Sequence, residues 1–133
     1  MSIVHVYDHP LIEAKLTRMR NVETSSENFR QLLKEISMLM GYEITRDFET
    51  TTTTISTPIC KGTFPTLAQE FITFVPILRA GLGMVDGLLE LIPSAHVGHI
   101  GLHRDEETHE AVEYYYKMPE GCENSLIILV EFV

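Results

Sequence analysis

Arg79 is the first residue whose setting implies chemistry. It closes the apolar run Phe71-Ile72-Thr73-Phe74-Val75-Pro76-Ile77-Leu78 and precedes Ala80-Gly81-Leu82-Gly83-Met84. A buried-looking cation at the end of a strand, followed by a glycine turn into a helix, makes with the turn amides a concave donor set that suits an anion. In open α/β sheets ligands bind beyond the carboxyl ends of the strands, which favours a ligand role for Arg79 over a structural ion pair or a snorkelling surface cation. Arg104 stands just past a second apolar segment and can reach the same crevice, while Asp105-Glu106-Glu107 after it reads as a solvated turn.

Three histidines near that second segment, His96, His99 and His103, suggest a metal at first sight. Along a strand His99 and His103 share a face but stand ~13 Å apart at ~3.3 Å per residue, and His96 points the other way. Such ligands do not converge, so no metal site is expected. No serine or cysteine occupies a nucleophile elbow, and neither a Walker loop nor a dinucleotide fingerprint occurs. No catalytic nucleophile or acid–base residue is assigned, and hydrolase or dehydrogenase chemistry has no support.

The elements that must carry these residues read as α/β. Ile3 to Tyr7 alternates like a short strand, and His9-Pro10 opens a helix striped by Leu11, Ile12, Leu16 and Met19. Thr24-Ser25-Ser26-Glu27 is a capping box before a longer helix, whose Phe29, Leu32, Leu33, Ile36, Leu39 and Met40 share one face, with Gly41 as its closing residue. Thr50 to Ile59 predicts a solvated edge strand or hairpin ending near Pro58. From Phe71 the pattern is β-α-β: a strand to Val75 that breaks at Pro76, a helix over Met84 to Leu91, and a strand over Ala95 to Leu102, joined by a right-handed parallel crossover. Glu113 to Lys117 and the fully apolar Leu126 to Val130 are further strands, and the latter is expected in the middle of a sheet with its face uncovered.

Composition bounds the rest. The 133 residues are 44% hydrophobic and 22% charged, which predicts one folded domain rather than a disordered acidic tail. A net charge of −9 argues against nucleic acid and anionic lipid as partners, yet leaves room for a small phosphorylated ligand at a local cluster of donors. No stretch approaches the ~20 apolar residues of a membrane span. The start lacks the regions of a signal peptide, and Cys60 and Cys122 have no metal spacing, so two buried or free thiols in a reducing cytoplasm are expected.

Val75-Pro76-Ile77-Leu78-Arg79-Ala80-Gly81 closely resembles the diphosphate-binding loop of uracil phosphoribosyltransferases. The likeness extends along nearly the whole chain, through His9-Pro10-Leu11-Ile12, Phe29-Arg30-Gln31-Leu32, Met38-Leu39-Met40-Gly41-Tyr42-Glu43, Val85-Asp86-Gly87-Leu88, Val97-Gly98-His99-Ile100-Gly101 and Arg104-Asp105-Glu106-Glu107-Thr108. The family transfers a phosphoribosyl group from 5-phosphoribosyl 1-diphosphate (PRPP) to uracil, giving UMP and diphosphate in pyrimidine salvage. The resemblance implies a Rossmann-like phosphoribosyltransferase fold, a mainly parallel sheet with flanking helices and a β-arm. It implies that Arg79, with the amides of Ala80 and Gly81, holds the diphosphate, and that Arg104 sits by the same leaving group. Mg²⁺ bound through PRPP, a homodimer and, in some of the family, GTP as effector come with it.

Departures from the family pattern limit that reading. The resemblance puts Glu131 at the start of the PRPP loop, where the family carries an aspartate, but no Thr-Gly-Gly loop for the 5-phosphate and no uracil-recognition segment occurs in these residues. His103, His109, Asp105 and Ala111 stand where the family usually has other types. The expectation is one C-terminally truncated phosphoribosyltransferase domain over 1–133, its fold incomplete and the chain inactive by itself. The alternatives are a remnant that binds diphosphate or nucleotide without catalysis, or one kept for oligomerisation.

Overall fold

A computed structural model describes residues 2–132; Val133 lies outside the described residues. Helix α1 (Pro10–Arg20) begins where His9 Nδ1 accepts the Leu11 N–H at 3.2 Å, with Pro10 in the first turn. Helix α2 (Ser26–Ile44) is capped by Ser25, whose Oγ accepts the Asn28 N–H at 3.2 Å, one residue later than the predicted box. Lys15 and Glu35 tie the two helices together at 2.5 Å, and Gln31 adds a 2.8 Å bond to the same carboxylate. The bond from Lys15, then that from Gln31, hold the Glu35 carboxyl below its ordinary range.

Strands β1 (Thr50–Ser56) and β2 (Lys61–Leu67) form a separate antiparallel arm. Its turn is locked by Thr57, whose N–H and Oγ1 both donate to the Cys60 carbonyl, at 2.9 and 2.8 Å. The main sheet holds β3 (Ile72–Leu78), β4 (His96–Val97), β5 (His99–Arg104), β6 (Ala111–Lys117) and β7 (Leu126–Val130). Strand β3 runs parallel to β7 on one side and to β4 and β5 on the other, and β6 returns antiparallel along β5. This is the predicted α/β architecture with its mainly parallel sheet, flanking helices and arm.

Helix α3 (Leu82–Leu91) crosses from β3 to β4 and packs on α2. The shared core joins Ile12 and Met19 of α1, Leu32, Leu33 and Ile36 of α2, and Met84 and Leu88 of α3 to Ile72, Phe74 and Val130 of the sheet. Phe74 is 1% exposed at its centre, so its removal would cost about 3–5 kcal/mol. No described helix is long and apolar enough to cross a membrane, and Cys60 and Cys122 are free thiols.

Four expectations need correction. Residues 3–7 form no strand: Ile3, Val4 and Val6 are exposed, with no strand paired to them. Helix α2 does not stop at Gly41, because that glycine is buried under α3, where a Cβ would come within 2.8 Å of Leu88 and 3.0 Å of Leu91. Strand β3 does not break at Pro76. The proline falls between the Phe74–Val97 and Ile77–Ile100 registers, opposite the interruption at Gly98, where a ladder donor is not required. Strand β7 lies at the edge of the sheet, paired among the described residues only with β3, and its Ile127 and Leu129 are about half exposed.

The turn from β3 into α3 packs closely against the end of β7. A Cβ on Gly81 would overlap the Val130 carbonyl oxygen and come within 2.9 Å of both the N and O of Ile77. Val130 is paired with Pro76 in the β3–β7 ladder, Ile77 is paired with Ile100 of β5, and the Ile77 carbonyl accepts the Gly81 N–H, so relieving the overlap disturbs strand pairing or the turn. Gly81→Ala should therefore destabilise the fold by about 1–3 kcal/mol, the usual cost of overpacking. A lowered urea midpoint checks this; an unchanged midpoint contradicts it.

Candidate functional site

Three parallel strands end on the same edge of the sheet, and each delivers a polar residue there. Strand β3 runs into Arg79, β5 ends on Arg104, and β7 runs into Glu131. These side chains meet at a cleft of about 290 Å³, whose walls also include Ala80, His103 and His109 over an apolar floor containing Ile77 and Leu102. Four of the five residues singled out from sequence, Arg79, Ala80, Arg104 and Glu131, thus line one concavity. It lies at the carboxyl ends of the strands, where α/β sheets bind ligands.

The fifth, Gly81, lies behind that wall. Its N–H donates to the Ile77 carbonyl at 2.9 Å, and the next N–H, of Leu82, donates to the Arg79 carbonyl at 3.2 Å. The peptide between Leu78 and Arg79 is cis. Gly81 is buried and closes the turn, whereas Ala80 and Arg79 are exposed on the cleft. Arg79 is therefore not the buried cation that its apolar surroundings in the sequence suggested.

Charge is distributed unevenly over the molecule. Among the described residues the ion pairs are Lys15–Glu35, Lys34–Glu90 and Arg46–Glu43, and none involves Arg79 or Arg104. Among the described residues Glu131 is the only carboxylate on the cleft wall. Asp105, next to Arg104, holds its own loop together. Its Oδ1 accepts the N–H of Thr108 at 2.8 Å, the N–H of Glu107 at 3.0 Å and the Thr108 hydroxyl at 3.1 Å. These bonds, that from the Thr108 N–H first, hold the Asp105 carboxyl below its ordinary range. Asp105 also donates its N–H to the Glu110 carbonyl at 2.9 Å, and its own carbonyl accepts the His109 N–H at 3.0 Å. The loop is therefore a closed turn that returns the chain to the cleft.

The histidines are dispersed. His96 stacks on Phe71 with centroids 6.1 Å apart, away from the cleft, and His103 tilts against Tyr114 at 5.8 Å. No group of three His, Cys, Asp or Glu among the described residues is placed to hold a metal ion. His109, which sequence reasoning did not assign to the site, reaches the cleft because β6 turns back along β5; nothing in its local sequence signals this.

Two guanidinium groups without carboxylate partners among the described residues, on the rim of a small open cleft, suit a ligand with several phosphate oxygens, which such groups grip in paired hydrogen bonds. Among the described residues no serine, threonine, cysteine or lysine lines the cleft, and the two arginines suit it to binding an anion and stabilising its charge.

The profile described as uracil phosphoribosyltransferase matches residues 6–133. The uracil phosphoribosyltransferase of Staphylococcus epidermidis is 54% identical over 131 residues, which cover 98% of this chain and 63% of that protein. The one from Staphylococcus aureus is 53% identical over the same coverage. A solved protein from Aquifex aeolicus superposes with a TM-score of 0.88 at 36% identity, over 97% of this chain and 62% of that one. The chain thus spans a little under two thirds of the length of the relatives it matches. On its profile, its identity to these relatives and its fold, the chain belongs to the uracil phosphoribosyltransferase family.

Proposed function

We infer that these residues form the diphosphate-binding half of a uracil phosphoribosyltransferase site, and the first part of a longer phosphoribosyltransferase domain. The observation that carries this reading is the convergence of Arg79 and Arg104, both without ion-pair partners among the described residues, on one cleft of a chain with net charge −9. In the transfer of phosphoribose from PRPP to uracil, the leaving diphosphate gains charge as the ribose becomes oxocarbenium-like. Preorganised cations stabilise that change most in the transition state. Arg79 and Arg104 would grip the diphosphate oxygens from two strands, and the Ala80 amide would add a neutral donor. Glu131, at the end of β7, would face the ribose as the first residue of the PRPP loop.

The wall offers one carboxylate and no converging set of metal ligands among the described residues. That fits Mg²⁺ carried on the diphosphate oxygens rather than one caged by protein. Bound so, Mg²⁺ would neutralise part of the leaving-group charge while the two arginines orient the anion. A homodimer is supported by apolar side chains left exposed on the arm, such as Ile55 and Phe64, and on residues 3–6. GTP as effector follows only from the family resemblance, and a cytoplasmic setting agrees with the free thiols.

Titration calorimetry with Mg²⁺-diphosphate tests the central reading. Arg79→Ala should weaken binding about ten- to a hundredfold, the range expected on losing a charged hydrogen-bond donor. Equal affinity in the two proteins would refute the assignment. The polypeptide of these 133 residues should form no UMP above background from uracil and PRPP, because it contains no Thr-Gly-Gly loop for the 5-phosphate, and remote binding energy orients the reacting centre. Turnover by that polypeptide would contradict this.

A further inference from the structure

Strand β7 is apolar on both faces, so its own residues leave its register against β3 open. Ile128 and Val130 pack into or against the core beneath the helices. Ile127 and Leu129, about half exposed, turn to the opposite face, together with Ser125 before them and Glu131 after them. A slip of one residue would exchange the two aliphatic sets with little change in burial. It would also turn Glu131 from the cleft towards the helices and bring Val130 or Phe132 to the end of the wall.

Polar contacts at the start of the strand discriminate between these registers. Gln69 Nε2 donates to the Phe71 carbonyl at 3.1 Å and to the Asn124 carbonyl at 2.8 Å, which joins the residue before β3 to the approach to β7. The Leu126 N–H donates to the same Phe71 carbonyl at 2.9 Å. Thr73 Oγ1 and Ser125 Oγ lie 2.6 Å apart, and Thr73 is fully buried. No side chain from Leu126 to Val130 can replace Ser125 as its partner, so a slip leaves a buried hydroxyl bare. At the far end the Phe132 ring meets Phe29 of α2 edge-on, with centroids 6.0 Å apart, and helps to hold the end of the strand on the helical layer.

We propose that Gln69 and Ser125 are positioning residues of the cleft: with Thr73 they fix the register of β7 and thereby put Glu131, rather than an apolar neighbour, on the cleft wall. A polar contact that sets the register of an otherwise apolar pairing is a well-attested use of such groups. Neither residue lines the cleft, so both act through the strand that Glu131 follows. The functional side of the proposal rests on the reading of the cleft as a diphosphate site.

The test is nuclear magnetic resonance of the native chain and of the variants Gln69→Ala/Ser125→Ala, Gln69→Glu and Ser125→Thr, reading which residues of β3 and β7 are neighbours. The native chain should show Val75 beside Leu129 and Phe74 beside Ile128. The double variant should add a second set, with Val75 beside Ile128 or Val130, and the slipped-to-native ratio should rise about fivefold for each hydrogen bond lost. Gln69→Glu keeps the length but cannot donate, and should also slip; Ser125→Thr keeps the hydroxyl and should not. The single variants retain most of the contacts and decide the matter if the double variant fails to fold. Native neighbours alone in Gln69→Glu and in a folded double variant overturn the proposal. Calorimetry with inorganic diphosphate then ties register to site. Glu131→Gln should tighten binding about two- to fivefold in the native chain, as removal of one exposed like charge allows, and should lose that gain in proportion to the slipped population. Mere destabilisation would leave the gain intact, so an equal gain in native and slipped chains overturns the positioning role. A gain absent already from the native chain counts against the diphosphate reading alone, because the strand neighbours decide the register independently.

Discussion

The turn that leaves β3 lies against the last residue of β7, and only a residue without a side chain fits between them. The backbone at Gly81 meets the Val130 carbonyl on one side and the Ile77 backbone on the other. Its N–H then closes the turn onto Ile77 at 2.9 Å. This contact makes three elements interdependent. Strand β7, paired with β3, packs against the turn, the turn leads directly into α3, and α3 is in close contact with α2 at Gly41 and Gly87. Arg79 stands one residue into that turn. Its position is therefore decided by the packing of a strand that comes about fifty residues later in the chain.

Electrostatics acts on top of that scaffold by leaving partners out. The chain carries 19 acidic residues against 10 lysines and arginines, and among the described residues three of those ten are in ion pairs. Lys15, Lys34 and Arg46 are paired on the helices. Arg79 and Arg104 have no such partner among the described residues. The carboxylate nearest in sequence to Arg104, that of Asp105, accepts three hydrogen bonds in its own loop and so is drawn into holding that loop. Exposed pairs contribute little to stability in any case, and leaving these two arginines unpaired costs the fold little while keeping both open to a phosphate ligand.

Much of this is legible in the sequence, for reasons that differ by residue. The glycine turn after a buried strand marks Arg79 by local chemistry alone, and the ordered motifs mark the family. The core face of α2, from Phe29 to Met40, follows from helical spacing, and the threonine-rich segment, which reads as a solvated strand or hairpin, forms the first strand of the arm. What cannot be read depends on neighbours. Pro76 stays in its strand because the adjacent ladder is interrupted at Gly98, and Gly41 continues a helix because another helix lies on it. Leu126 to Val130 is central by composition, yet among the described residues it pairs on one side only. By sequence His103 is one of three scattered histidines and His109 a departure from the family pattern. Their meeting in one cleft needs the antiparallel return of β6, which no local pattern encodes.

A crystal structure of the chain with Mg²⁺ and diphosphate bears most directly on the central claim. The account predicts diphosphate density in the cleft between the Arg79 and Arg104 guanidinium groups, with a phosphate oxygen within hydrogen-bond distance of each and the β3–α3 turn unchanged. Diphosphate bound elsewhere, or a cleft in which either arginine turns away to pair with a carboxylate, would contradict it.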